Sequence, residues 1–215
     1  MRRMLDDQLE TLKDEMITMG AMCEDAIAGA TKSFTENDAA LGKKVAETAE
    51  KIDRKEREIE SICLKMLLMQ QPVAADLRKI SAALKMVTDL ERIGNQSADI
   101  AEIAAMGTVP ENVRGDTVHD MALAAVKMVN ESIEAFLHDD ANEANAVIAY
   151  DDIVDGYFDD IKHKLVEHIK AEPQAGEYAI DLLMIAKYLE RIADHAVNVA
   201  KWVIFSISGE LVECN

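Results

Sequence analysis

Residues that stop a helix are scarce in this chain and evenly placed. Proline occurs three times, at positions 72, 110 and 173, and glycine nine times in 215 residues. The stretches between them are dominated by alanine, leucine, methionine, glutamate and lysine, all good helix formers. No segment alternates apolar and polar residues with β-branched enrichment, so strands are not expected. Glu36-Asn37-Asp38 supplies turn and cap residues after a first helix of about 30 residues. Gln70-Gln71-Pro72 closes a second, because proline disfavours helical backbone in the residue before it. A third runs to Met106-Gly107-Thr108-Val109-Pro110. In the second half the same order of breaks returns at His138-Asp139-Asp140, at Glu172-Pro173 and in the tail after Ser206. The pattern predicts an all-α protein of six long helices in two groups of three.

The halves also match in sequence. Phe34–Ala39 (FTENDA) aligns with Phe136–Ala141 (FLHDDA), 102 positions later, which sets Asp53 on Asp155. Leu90-Glu91-Arg92-Ile93 aligns with Leu189-Glu190-Arg191-Ile192, 99 positions later. Two tandem three-helix bundles follow, the first over residues 1–107 and the second over 111–208, with a tail at 209–215. On the sixth helix Ile185, Ile192, Val199 and Val203 share one face, and Leu183, Ala186, Val197 and Ile204 another. A helix apolar on two faces is sandwiched between neighbours, so helices three and six are expected to lie centrally or to carry an oligomer interface. The twelve methionines are read as core fillers.

With 41 acids against 23 bases the net charge is -18. That balance argues against a nucleic-acid partner, because phosphates repel an anionic surface. It equally disfavours direct docking on an anionic leaflet, so a membrane connection would run through a partner protein. No stretch approaches the roughly 20 apolar residues of a spanning helix. The start, MRRMLDDQLETLKDEM, is too charged for a secretory signal. Three cysteines (Cys23, Cys63, Cys214), with no CxxC pair, fit a reducing cytoplasm better than a disulfide framework.

The chemistry that stands out is carboxylate. Glu190 and Asp194 lie four apart on helix six, with Asn198 four further on; Asp151, Asp155 and Asp159 repeat that spacing on helix five. Four residues is about one helical turn, so each set projects from one stripe. A single acidic stripe is also what a solvated helix face looks like, and Lys162, Lys187 and Lys201 lie near enough to neutralise parts of these. Stripes on two consecutive antiparallel helices, however, would converge on one point. All-oxygen ligation suits Mg²⁺, Mn²⁺, Ca²⁺ or iron, and mixed carboxylate sites also hold Zn²⁺. No Glu-x-x-His pair for a di-iron bundle is present. Neither a GxSxG elbow nor a glycine-rich phosphate loop occurs, and Gly94 stands alone in mid-helix. Two other readings remain open on these residues: a helical metal-binding scaffold, and a carboxylate-bridged metalloenzyme.

DLERIGNQSADIA (Asp89–Ala101) and YLERIADHAVNVA (Tyr188–Ala200), with MITMGAMCEDAI near the start and QQPVAADLR at 70–78, resemble the paired signature of the PhoU family of bacterial phosphate-signalling regulators. The resemblance spans about residues 5 to 208 in order. It implies two three-helix bundles, commonly as a homodimer, and no catalytic activity. It also implies a cytoplasmic protein that meets the membrane only through the ATPase of the phosphate ABC transporter (PstB) and the sensor kinase PhoR, and that holds uptake and starvation signalling down. Paralogues of the same fold serve other transporters.

The family's iron or zinc clusters sit on paired E(D)xxxD motifs. By position, repeat two keeps Asp151, Asp155, Glu190 and Asp194. Repeat one keeps Asp53 and Glu91, but Ala49 replaces the first acid, Asn95 replaces the last and Arg57 stands where Asp159 does. Glu91, Asp99 and Glu102 still form an acidic stripe. The expectation is a competent metal site in repeat two and a degenerate one, from Asp53, Glu91 and Asp99, in repeat one.

Overall fold

The computed structural model describes residues 2–110, 114 and 116–212. Among these it has six α-helices and no strand: α1 (Arg2–Glu36), α2 (Ala39–Gln70), α3 (Ala75–Met106), α4 (Asp116–His138), α5 (Ala141–Ala171) and α6 (Gly176–Ser208). A 3₁₀ turn led by Pro173 (Pro173–Ala175) precedes α6. Glu111, expected to open the second repeat, and Cys214 with the end of the tail (213–215) lie outside the described residues. A helix of 32 residues is about 48 Å long, so the bundle is elongated. No helix among the described residues is long and apolar enough to cross a membrane.

The repeat seen in sequence is repeated in backbone detail. Asn37 (φ 55) and Asp139 (φ 54) both take the left-handed conformation that Asn and Asp tolerate best after glycine. The next residue in each case, Asp38 or Asp140, is an extended N-cap. Asp38 Oδ1 accepts from the backbone N–H of Ala40 and Leu41, at 2.9 and 3.0 Å. Asp140 Oδ1 accepts from Asn142 and Glu143, at 2.7 and 3.3 Å. Each cap satisfies amide groups that the first helical turn leaves free.

Of the two expectations for the doubly apolar helices, central placement is what the fold adopts. α3 packs against α1, α2 and α6, while α6 packs against α3, α4 and α5. One continuous apolar cluster runs through all six helices, including Ile93 and Leu90 of α3 and Ile192 and Leu189 of α6. Met16, Met19, Met66, Met86, Met121 and Met128 are fully buried in it, filling irregular gaps as flexible thioethers do. The two central helices run antiparallel and are stitched at both ends. Arg78, at the start of α3, donates to the carbonyls of Ser206 and Ile207, both at 3.4 Å. At the other end Thr108 donates to Asp181.

Gly94 has a packing reason. A Cβ there would meet Ile52 of α2 at 2.9, 3.2 and 3.3 Å, and Ile52 is itself fully buried. Gly156 on α5 faces open space. Gly94→Leu is therefore expected to destabilise the fold by about 1–3 kcal/mol through overpacking. Gly156→Ala should stabilise it by up to about 1 kcal/mol through helix propensity. Urea unfolding midpoints at unchanged m-value check both.

Candidate functional site

α5 packs along α6, and the four acids expected to converge in repeat two do act on one another. Partial burial, then the charges of Asp155, Asp194 and Glu190, push the Asp151 carboxyl up to about 6. Burial and then Glu190 also raise Asp155 and Asp194. Asp151 and Glu190 are half-buried and Asp155 and Asp194 exposed, and carboxylates that share a site disfavour one another's charged form. Lys187 opposes this. Its ammonium, one helical turn before Glu190, is paired with that carboxylate and lies 5.5 Å from the centre of the Phe158 ring. Asp159, the third member of the α5 stripe, stands at the margin of the group, its charge the last of those that act on Asp155. It is turned to Lys162 at 2.6 Å, which holds its carboxyl below the usual range.

In repeat one a tighter group assembles. Asp53, Glu56 and Glu91, all half-buried, each place a carboxylate oxygen within 4.8 Å of the others. Asp53 is paired with Arg57, and Asn95 Nδ2 donates to Glu91 Oε1 at 2.6 Å. Burial raises the Glu56 carboxyl, a hydrogen bond from Thr88 opposes that, and the charges of Glu91, Glu60 and Asp53 add to it. Asp99 does not join the trio. It lies eight residues beyond Glu91 on α3, about 12 Å along the axis, and is raised by burial and Glu102, with Arg191 opposing.

Glu56 escapes a reading confined to four-residue spacing, because it lies three residues from Asp53. That is the other spacing at which helix side chains are neighbours. Its counterpart at the 102-residue offset is Phe158, and the counterpart of Thr88 at the 99-residue offset is Lys187. Each repeat thus fills the same corner differently: carboxylate and hydroxyl in one, aromatic ring and ammonium in the other.

The repeat-one trio fits a hard cation: it offers three carboxylate oxygens from two helices, and bound positive charge would relieve their repulsion. The repeat-two acids act on one another through charge, but among the described residues no three of them bring their oxygens within 4.8 Å of one another. A second polar contact joins the repeats at the same level. His195 Nδ1 is 2.9 Å from Asp89 Oδ1, with both side chains about 15% exposed, and Asn198 Nδ2 donates to the same oxygen at 3.4 Å. His195 points away from Asp194 into this contact, as the 100° step between consecutive helical residues requires.

Comparison with known proteins gives a consistent family. The family model described as PhoU domain matches twice, at residues 16–104 and 118–203. The chain is 33% identical over 204 residues to the phosphate-specific transport system accessory protein PhoU homolog of Pseudomonas aeruginosa, covering 94% of this chain and 84% of that one. It is 30% identical to the protein of the same description from Clostridium acetobutylicum, covering 100% and 99%. The crystal structure of PhoU from Pseudomonas aeruginosa superposes with a TM-score of 0.89 at 31% identity, over 95% of this chain and 99% of that one.

The raised Asp151 carboxyl has a pH signature. A carboxyl that titrates near 6 folded, against 3.8 ordinarily, binds its proton more tightly in the folded state. It therefore lowers stability progressively as pH rises between those values. In chelator-treated protein Asp151→Asn is expected to be more stable than the parent above about pH 6, and indistinguishable below about pH 4. Solvent screening of this half-exposed group limits the gain to roughly 1 kcal/mol. Thermal melting across that pH range measures it.

Proposed function

Because the chain belongs to the PhoU family, we propose that it is a non-catalytic accessory regulator of a phosphate-specific transport system. The observation that carries this reading is the double family match over both repeats, joined to full-length relatives described as accessory proteins of that system. In this reading the protein works in the cytoplasm as a homodimer. It contacts the ATPase subunit of the phosphate ABC transporter and a PhoR-like sensor kinase, and reaches the membrane only through them. When phosphate is plentiful it restrains uptake and holds starvation signalling off. Rigid helices about 48 Å long with a net charge of -18 suit such a role, since they present extended, soluble faces and hold their shape through a shared core.

Metal has a structural part in this reading. Asp151, Asp155, Glu190 and Asp194 would hold a cation between α5 and α6, and Asp53, Glu56 and Glu91 one between α2 and α3. The ion, an iron or zinc cluster or a hard divalent cation, supplies positive charge where half-buried carboxylates repel. The side chains on this chain do the positioning. Lys187 neutralises Glu190 on one side, and Arg57 and Asn95 orient Asp53 and Glu91 on the other.

Three measurements test the proposal. The tagged full chain should retain the transporter ATPase in a pull-down, and deletion of its gene should leave a phosphate-starvation reporter on in phosphate-rich medium. A retained partner from another transporter, with the reporter unchanged, would reassign the system served. Metal analysis of protein purified without chelator should show a loss in Asp155→Ala/Glu190→Ala and a separate loss in Glu56→Gln/Glu91→Gln. Unchanged content in both would sink the metal part alone.

A further inference from the structure

The antiparallel crossing of α3 and α6 brings together the arginines of the two matching LERI segments. Arg92 and Arg191, 99 residues apart and equivalent in the repeat, line the same open cleft of about 560 Å³, with Lys201 from α6. Among the described residues none of these three cations has an ion-pair or hydrogen-bond partner, although the chain carries 41 acids. The carboxylates that face the cleft are Asp151 and Asp194. Asp99 acts on Arg191 from further along α3. Asp89 of α3 is engaged by His195 and Asn198 and is not among the residues that line the cleft. Gln96, the repeat equivalent of His195, also lines the cleft, and its Oε1 is buried without a hydrogen-bond partner. A half-turn of that amide exchanges the acceptor for an NH₂ donor.

We propose that this cleft is an anion site that receives a phosphoryl group between Arg92 and Arg191. Each guanidinium is a planar fork able to donate two parallel hydrogen bonds. Two forks from opposite helices, with an ammonium beside them, offer more donors than the two oxygens of a carboxylate can use, and match the three or four oxygens of phosphate. The volume lies within the roughly 300–1,000 Å³ range of small-molecule sites, which leaves room for an ester substituent. Free phosphate and a phosphomonoester therefore share the chemistry. The overall charge does not forbid this, because the local charges set the field inside a cleft, and here the three cations outnumber the carboxylates of Asp151 and Asp194. The inference stands on the cleft alone and is independent of the transport role.

Calorimetric titration of the chelator-treated full chain tests it, with inorganic phosphate, AMP as phosphomonoester probe and citrate as carboxylate control. Binding of phosphate or AMP is expected. Arg92→Gln/Arg191→Gln should weaken it by about tenfold or more, with partial recovery in the Arg92→Lys/Arg191→Lys pair, since an ammonium keeps charge but loses the fork. Phosphate binding as well as AMP identifies the free anion as sufficient, and AMP alone identifies the ester; either supports the site. Arg92 and Arg191 are exposed, so the fold should survive, and Lys201→Gln, expected to weaken binding several-fold, is the second variant. No binding of either probe at about 5 mM, affinity unchanged in the double variant, or citrate bound more tightly than both would overturn the proposal. None of these outcomes bears on the ATPase pull-down.

Discussion

The antiparallel packing of α3 on α6 is the contact on which the rest of the molecule depends. Each repeat is a three-helix unit whose third helix is apolar on two faces, and such a helix cannot be left with one face in water. Pairing the two third helices buries both outer faces at once. Leu90, Ile93, Leu189 and Ile192 are all at most 1% exposed. The Arg78 hydrogen bonds at one end and the Thr108–Asp181 contact at the other set the register. The repeats are thus halves of one body sharing a core, and polar groups from one half are brought within reach of the other.

Equivalent backbone does not produce equivalent chemistry. The caps at Asp38 and Asp140 superimpose in geometry to the level of which amides they accept, because capping is a local requirement that any copy of the turn must meet. The carboxylate groups are under no such requirement. Ala49 stands for Asp151 and Asn95 for Asp194, while Glu56 replaces Phe158 and Thr88 replaces Lys187. Ala49 is 7% exposed, so its side of α2 has become core where α5 keeps an acid. The outcome is three carboxylates within 4.8 Å in one repeat, and four charge-coupled carboxylates with an ammonium among them in the other.

Buried thiols add to the structural role of the core. The Cys23 S–H donates to the Leu90 carbonyl at 3.3 Å, and burial pushes its pKa well above the usual thiol range. Burial, followed by the charge of Glu60, pushes Cys63 up to about 12. Reactivity requires thiolate, so both behave as small apolar residues on α1 and α2.

Helix number, the positions of the breaks, the caps and the repeat were all legible in the chain. Each rests on forces that act within a few residues: proline sterics, left-handed Asn and Asp, side-chain oxygens over free amides, and apolar periodicity. The doubly apolar faces of α3 and α6 pointed to either a central place or an oligomer interface, and only the packing shows them at the centre. Which acids meet was legible only in part. Spacing shows that Asp151 and Asp155 share a stripe, but whether a stripe faces a neighbour or water depends on how two helices are rotated about their axes, and the whole core sets that rotation. Glu56 enters the repeat-one group, and Asp99 leaves it, for that reason. The pairing of His195 with Asp89 and the sharing of one cleft by Arg92 and Arg191 are decided further still from the local chain. They involve residues about a hundred positions apart, and only the burial of two apolar faces against each other brings them to one region.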